Sequence, residues 1–125
     1  MNEPLVSIVM NCFNGETFLK RALESVIKQK YSNWELIFWD NLSTDKSKNI
    51  FLRFNDKRFK YFSSEKFKIL YAARNDALTK CNGKYIAFLD TDDYWYAEKL
   101  MSQVQLLEKN KNIGLVYTNY LIENT

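Results

Sequence analysis

Leu5-Val6-Ser7-Ile8-Val9-Met10-Asn11-Cys12-Phe13-Asn14-Gly15 is the stretch that decides the fold of this 125-residue chain. Leu5 to Met10 is almost purely apolar and rich in β-branched residues, the pattern of a strand buried on both faces, and Asn11 to Gly15 breaks it. A strand of that kind needs helices above and below it, so the rest of the chain should alternate. From Thr17 to Gln29 the apolar residues Leu19, Ala22, Leu23, Val26 and Ile27 form the stripe of a helix lying on a core. Trp34 to Trp39 reads as a second strand. Ile50, Phe51 and Phe54 make a less regular helical stripe ending near Asn55, and Phe59 to Phe62 makes a third, short strand. Beyond a loop at Ser63 to Lys68, a helix with Leu70, Ala73, Ala77 and Leu78 inward runs to about Lys80, where Asn82-Gly83 stops it. Tyr85 to Leu89 is a fourth strand. Asp90 to Asp93 is expected to open a helix with Leu100, Val104 and Leu107 inward, and Ile113 to Ile122 to close the chain as a fifth strand. This βαβαβαβαβ order predicts an α/β fold with a mostly parallel sheet and helices on both faces.

Composition narrows the chemistry. With 3 Gly and 1 Pro, regular structure must fill most of the chain, and residues 1–125 are expected to form one domain. There is no His, which removes every Ser-His, Cys-His and His-zinc mechanism from these residues. The net charge of +3 comes from dispersed lysines, so nucleic acid is not expected as a partner. Cys12 and Cys81 form no CxxC pair, which suits a reduced, cytoplasmic setting. No apolar run reaches membrane-spanning length and Met1 to Pro4 lacks a leader pattern, so a soluble protein is expected, with room for peripheral contact at the inner face of the membrane.

In open α/β sheets ligands gather beyond the carboxyl ends of the strands, where helix N-termini and loop amides converge. Three polar clusters stand there: Asn11-Cys12-Phe13-Asn14, Asp40-Asn41, and Asp90-Thr91-Asp92-Asp93. Each also has a plain structural reading. Asn14-Gly15 suits a turn, Thr44 or Asp45 a helix N-cap, and Asp92 or Asp93 another. In an extended segment, however, Asp90 and Asp92 point to one side and can face one cation. Two hard oxygen ligands suit Mg²⁺ or Mn²⁺, with water and a substrate phosphate completing the shell. No glycine-rich phosphate loop is present, so a bound diphosphate would be neutralised by that cation. Phe13 offers a face for a planar base, or packs in the core, and Asn11 and Asn41 offer amides for the base edge. Arg74 meets a phosphate, the base, or a neighbouring carboxylate. Tyr94-Trp95-Tyr96 reads equally as a packing cluster at a helix start or an aromatic wall against a sugar.

Taken in order, Val6 to Gly15, Trp34-Glu35-Leu36-Ile37 with Asp40 to Asp45, Ala73-Arg74-Asn75, and Gly83 to Asp93 resemble glycosyltransferase family 2, enzymes of the Rossmann-like GT-A fold that use nucleotide-sugar donors. The resemblance runs from about Leu5 to Tyr117. It implies a nucleotide-sugar-binding sheet with a base stacked on Phe13, edge contacts from Asn11 and Asn41, further nucleotide contacts from Asn14, Asp40 and Arg74, ribose and metal contacts from Asp90, and Asp92 as the main metal ligand. The family more often has Pro or Thr at Asn11, Tyr at Phe13 and a second Asp at Asn41. It implies metal-assisted, inverting transfer, most simply from a UDP-sugar to a glycan or glycolipid acceptor in cell-surface polysaccharide or glycoconjugate synthesis. Family catalytic domains are roughly twice as long, and their acceptor half, with the general base, follows the position of Gly114 to Leu121. A donor-binding half with weak or absent transfer by itself is therefore expected, with an uncovered edge that favours a homodimer. A non-catalytic nucleotide-binding or interaction module and, more distantly, a receiver-like Mg²⁺-binding domain are the competing readings.

Overall fold

The structure, a computed structural model, describes residues 3–124. The absence of a leader pattern at Met1 and Asn2, like the last residue of the expected 1–125 domain, lies outside them. Four strands and four helices alternate: β1 (Val6–Cys12), α1 (Glu16–Ile27), β2 (Trp34–Asp40), α2 (Ser47–Leu52), β3 (Phe59–Ser63), α3 (Leu70–Leu78), β4 (Tyr85–Phe88) and α4 (Lys99–Lys109). The sheet order is β3-β2-β1-β4 and every pairing is parallel. The central strands β1 and β2 are those with continuous apolar runs, and they are buried along nearly their whole length.

Alternate residues of β1 serve two cores. Val6, Ile8, Met10 and Cys12 join Trp34, Leu36 and Phe38 of β2 under the inward stripe of α1, Phe51 of α2, and Leu100 and Val104 of α4. Val9 turns to the other face with Ile37 and Trp39, where Ala73 and Ala77 of α3 close over them. Burial of each large apolar side chain contributes roughly 1.5–3 kcal/mol, so the thicker layer carries most of the stability. On the α3 side, Ile86 and Phe88 of β4 stay exposed among the described residues.

At the amino ends of the strands a buried carboxylate ties β1, β2, β3 and the segment before β4 together. Glu35 accepts from Ser7 Oγ at 2.6 Å, Lys60 Nζ at 2.5 Å and the Asn82 backbone N–H at 2.7 Å. Burial pushes its carboxyl pKa upward, but the donors from Lys60, Ser7 and Asn82 outweigh that and hold it at about 2. Ser7 Oγ also accepts from Gly83 N–H at 2.8 Å. A β-carbon on Gly83 would lie 2.5 Å from Ser7 N, so only glycine lets β4 enter beside β1.

Several sequence expectations are corrected, among them the inward placing of Ile27 and Leu70, which are exposed. Residues 113–122 form no strand, and Leu115, Tyr117, Tyr120, Leu121 and Ile122 are all exposed. Apolar, β-branched composition favours a strand only where a neighbour supplies a ladder, and no described strand pairs with this segment. The observed order is thus βαβαβαβα. The last helix also begins later than expected, with Glu98 and not Asp92 or Asp93 at its N-cap position. The buried amide of Gln29 explains the delay: it donates to Tyr96 O at 2.7 Å and accepts from Leu100 N–H at 3.1 Å, capping α4 from another element.

Candidate functional site

At the carboxyl edge of the sheet, the turn after β1 and the loop after β2 cap each other's helices. Asn14 is left-handed, with φ 52°, a conformation asparagine tolerates. Asn14 N–H donates to Ser43 Oγ at 2.9 Å, Gly15 N–H to Ser47 Oγ at 2.9 Å, and Glu16 N–H to Asp45 Oδ2 at 3.0 Å. In return Asn14 Oδ1 accepts from Thr44 N–H at 2.7 Å, and Glu16 Oε2 from Lys46 N–H at 2.8 Å. Two of the free amides at the start of α1, those of Gly15 and Glu16, are therefore satisfied from some thirty residues away. Lys46 holds the N-cap position of α2, while Asp45 Oδ1 accepts from Ser47 N–H at 2.9 Å. Asp40 is buried, accepting from Ser43 N–H at 2.8 Å and from Tyr61 Oη at 2.6 Å. Asn14 and Asp40 thus spend their side chains on the rim itself.

The α3 side of this edge holds unsatisfied polar atoms. Both amide atoms of Asn11 are buried and lack a partner among the described residues, as does Nε of Arg74. Leaving a buried polar group unpaired costs about 1–3 kcal/mol, so each such atom calls for an explanation, a ligand among them. Arg74 makes the carboxylate contact that was one of its sequence readings, Nη2 lying 3.4 Å from Asp90 Oδ1, and its guanidinium sits 5.2 Å from the centre of the Phe88 ring. Phe13 is not in the core; it is 52% exposed and meets Phe67 edge-on at 4.9 Å. The Asn41 amide donates to Lys68 O at 2.6 Å and accepts from Lys68 N–H at 3.0 Å, which fixes the loop after β3 and leaves one hydrogen and one lone pair free.

Beyond β4 the chain turns, with Asp93 N–H donating to Asp90 O at 3.2 Å. The turn brings carboxylate oxygens of Asp90, Asp92 and Asp93 within 4.8 Å of one another, all three residues exposed. Burial first, then the charges of Asp92 and Asp90, push the Asp93 carboxyl pKa up. Three crowded hard-oxygen donors fit a Mg²⁺ or Mn²⁺ ion that keeps several waters. Asp93 escaped the sequence reading as a ligand because its place depends on the turn; the adjacent third acid in Asp-Thr-Asp-Asp was the available signal.

The aromatic triplet divides. Trp95 packs against the main core, whereas Tyr94 and Tyr96 meet edge-on at 6.2 Å beside a cavity of about 810 Å³ between α1, the acidic turn and residues 118–123.

Comparison with known proteins adds one family match, one curated relative and two solved structures. The family described as Glycosyl transferase family 2 matches residues 7–124. The UDP-Glc:alpha-D-GlcNAc-diphosphoundecaprenol beta-1,3-glucosyltransferase WfgD of Escherichia coli is 44% identical over 124 residues, covering 99% of this chain and 49% of the relative. Among solved structures, S. aureus TarS 1-349 in complex with UDP-GlcNAc aligns with a TM-score of 0.77 at 25% identity, over 83% of this chain and 31% of that one. The mannosyltransferase PcManGT from Pyrobaculum calidifontis, in complex with GDP-Man and Mn2+, shares the fold with a TM-score of 0.80 at 21% identity, over 86% and 33% of the two chains. The chain spans about half the length of the curated relatives it matches.

Proposed function

The chain belongs to glycosyl transferase family 2, and from that premise we propose that it forms the donor-binding half of an enzyme moving a sugar from a nucleoside-diphosphate donor to an acceptor hydroxyl. The observation that carries this reading is the meeting, at one sheet edge, of three clustered carboxylates with an exposed aromatic and an unsatisfied buried amide. In this reading the base lies on Phe13 and the Asn11 amide finds its missing partners on the base edge. Asp90 and Arg74 flank the ribose and diphosphate, while Asn14, Asp40 and Asn41 hold the rim against which the nucleotide rests.

Asp92, with Asp90 and Asp93 beside it, would hold Mn²⁺ or Mg²⁺, which when bound supplies positive charge to the leaving diphosphate. Thr91, between two of these carboxylates, lies close to Gly15 of the turn after β1. A UDP-sugar is the proposed donor, since TarS was solved with UDP-GlcNAc and WfgD is named for a UDP-Glc donor. A lipid-linked sugar is the proposed acceptor, after the diphosphoundecaprenol acceptor in the name of WfgD, with inversion at the transferred carbon and a place in cell-surface polysaccharide synthesis. Such an acceptor lies in a bilayer, which brings the protein to a cytoplasmic membrane surface as a peripheral partner. Among the described residues no helix is long and apolar enough to cross a membrane.

Thermal melting with UDP and Mn²⁺ tests the donor reading. A ligand that binds only the folded chain raises stability by about 2.7 kcal/mol at a hundred times its Kd, a shift of several degrees. The expected result is that shift with UDP or UDP-glucose; an unmoved melting curve contradicts the reading. Release of free glucose from UDP-glucose would separate an active half from a non-catalytic binding module.

A further inference from the structure

The loop after β3 is tied at one end to the last two residues of β2 and at the other to Asn41, which follows them. Ser64 N–H donates to Asp40 O at 2.9 Å, and Ser64 Oγ accepts from Trp39 Nε1 at 2.7 Å. At the other end Lys68 is held through both its backbone groups by the Asn41 amide, and its ammonium pairs with Asp76 of α3. Between these anchors Phe67 is held out of the core, 56% exposed, its ring against that of Phe13. Leaving an aromatic ring in water forgoes the stabilisation that burial would give, yet the side chains of Trp39, Ser64, Asn41, Lys68 and Asp76 fix the segment that keeps it there. Its position, beside the one aromatic assigned to the base, suits a ligand with a planar face.

The identity of residue 41 matters to this clamp. Asparagine gives one donor and one acceptor to a single peptide unit. Aspartate, of the same size, could accept from Lys68 N–H but would set a carboxylate oxygen against the Lys68 carbonyl.

We propose that Phe67 is the second aromatic wall of the base pocket, and that Asn41 is its positioning residue, acting through the Lys68 backbone. This rests on the donor-binding reading above and deepens it: the base sits in the corner formed by two rings that meet edge-on, and the second ring is placed by an amide that does not itself need to touch the base.

A double-mutant cycle tests it, with Kd measured by calorimetry for UDP and, separately, for pyrophosphate, both with Mn²⁺. Pyrophosphate lacks the base and reports the metal and phosphate contacts alone. Loss of one base–aromatic contact weakens binding about tenfold. Phe67→Ala and Asn41→Asp are each expected to weaken UDP by about that factor, and the double variant by no more than about twofold beyond either, because both remove the same wall. Pyrophosphate affinity stays within about twofold throughout, and Phe67→Tyr, which keeps the ring, stays within about twofold of the original for UDP. Should Asn41→Asp fail to fold, Asn41→Ala takes its place in the cycle with the same expected result, and the contrast between Phe67→Ala and Phe67→Tyr tests the wall by itself. Losses that multiply to about a hundredfold, or that fall equally on pyrophosphate, overturn the assignment while leaving donor binding intact. If the unaltered chain binds neither UDP nor pyrophosphate, the donor reading falls and the assignment falls with it.

Discussion

Gly15 and Thr91 touch across the sheet edge: a β-carbon on Gly15 would lie 2.7 Å from Thr91 Oγ1 and 3.0 Å from Thr91 Cβ. Gly15 opens α1, while Thr91 sits between two of the clustered acids, so the contact sets how closely the acidic turn approaches the turn after β1. The φ of Gly15 is −100°, which any residue adopts, so the need for glycine here is one of space.

Gly15→Ala should therefore push the acidic turn outward. Overpacking of this kind costs about 1–3 kcal/mol, and part of it can be relieved by movement of the exposed turn. The expected outcome is a modest fall in melting temperature with a loss of about tenfold or more in UDP affinity with Mn²⁺ by calorimetry. An unchanged affinity would show that the spacing is irrelevant to binding.

Glu35 makes a pH prediction at the opposite edge. Its carboxyl is held at about 2 against an ordinary 4.5, so the unfolded chain binds the extra proton between those values. The stabilisation is fully present above the ordinary value and is lost as pH falls through the window toward 2, on the order of 3 kcal/mol in all. Urea midpoints should drop steeply below pH about 4.5 for the unaltered chain and more gently for Glu35→Gln, which lacks the titrating group. Parallel acid limbs in the two proteins would exclude Glu35 as the source.

Leu42 sits in the left-handed region with φ 63°, in the loop joining Asn41 to the capping residues Ser43 and Asp45. That conformation costs a β-carbon-bearing residue about 1–2 kcal/mol. Leu42→Gly should be more stable than Leu42→Ala by about 1 kcal/mol in denaturant unfolding, a comparison that removes the same side chain twice and varies only the backbone strain. Equal stabilities would mean that the loop relaxes in both.

These cases also show what a sequence can reveal here. The runs in β1 and β2 were legible because a strand buried on both faces needs apolar residues at every position, and the stripe of α1 because one helical face must be apolar. Residues 113–122 misled because a strand is a property of two segments, and composition describes one. The start of α4 was hidden for a similar reason: Gln29, seventy residues earlier, supplies its cap. At the site, Asp90 and Asp92 are named on the premise of an extended segment, whereas a turn at residues 91 and 92 is what brings their carboxylates together. Asp93 required the turn that folds it back, and Phe67 required the clamp between Asn41 and Lys68. Arg74 could be read as a carboxylate partner, but its unsatisfied Nε could not. Local pattern identifies which residues can do chemistry; contacts between distant loops determine which of them share a site.

The most direct test of the central claim, that the acidic turn holds a divalent ion which in turn holds the diphosphate, is the UDP affinity measured with Mn²⁺ and again with a chelator, in the unaltered chain and in Asp92→Asn. A coupling of 1–3 kcal/mol between two ligands corresponds to about 5–150-fold. The expected result is that Mn²⁺ tightens UDP binding by about tenfold or more in the unaltered chain and by less than about twofold in Asp92→Asn. Equal UDP affinity with and without Mn²⁺, or full retention of the Mn²⁺ effect after Asp92→Asn, would contradict it.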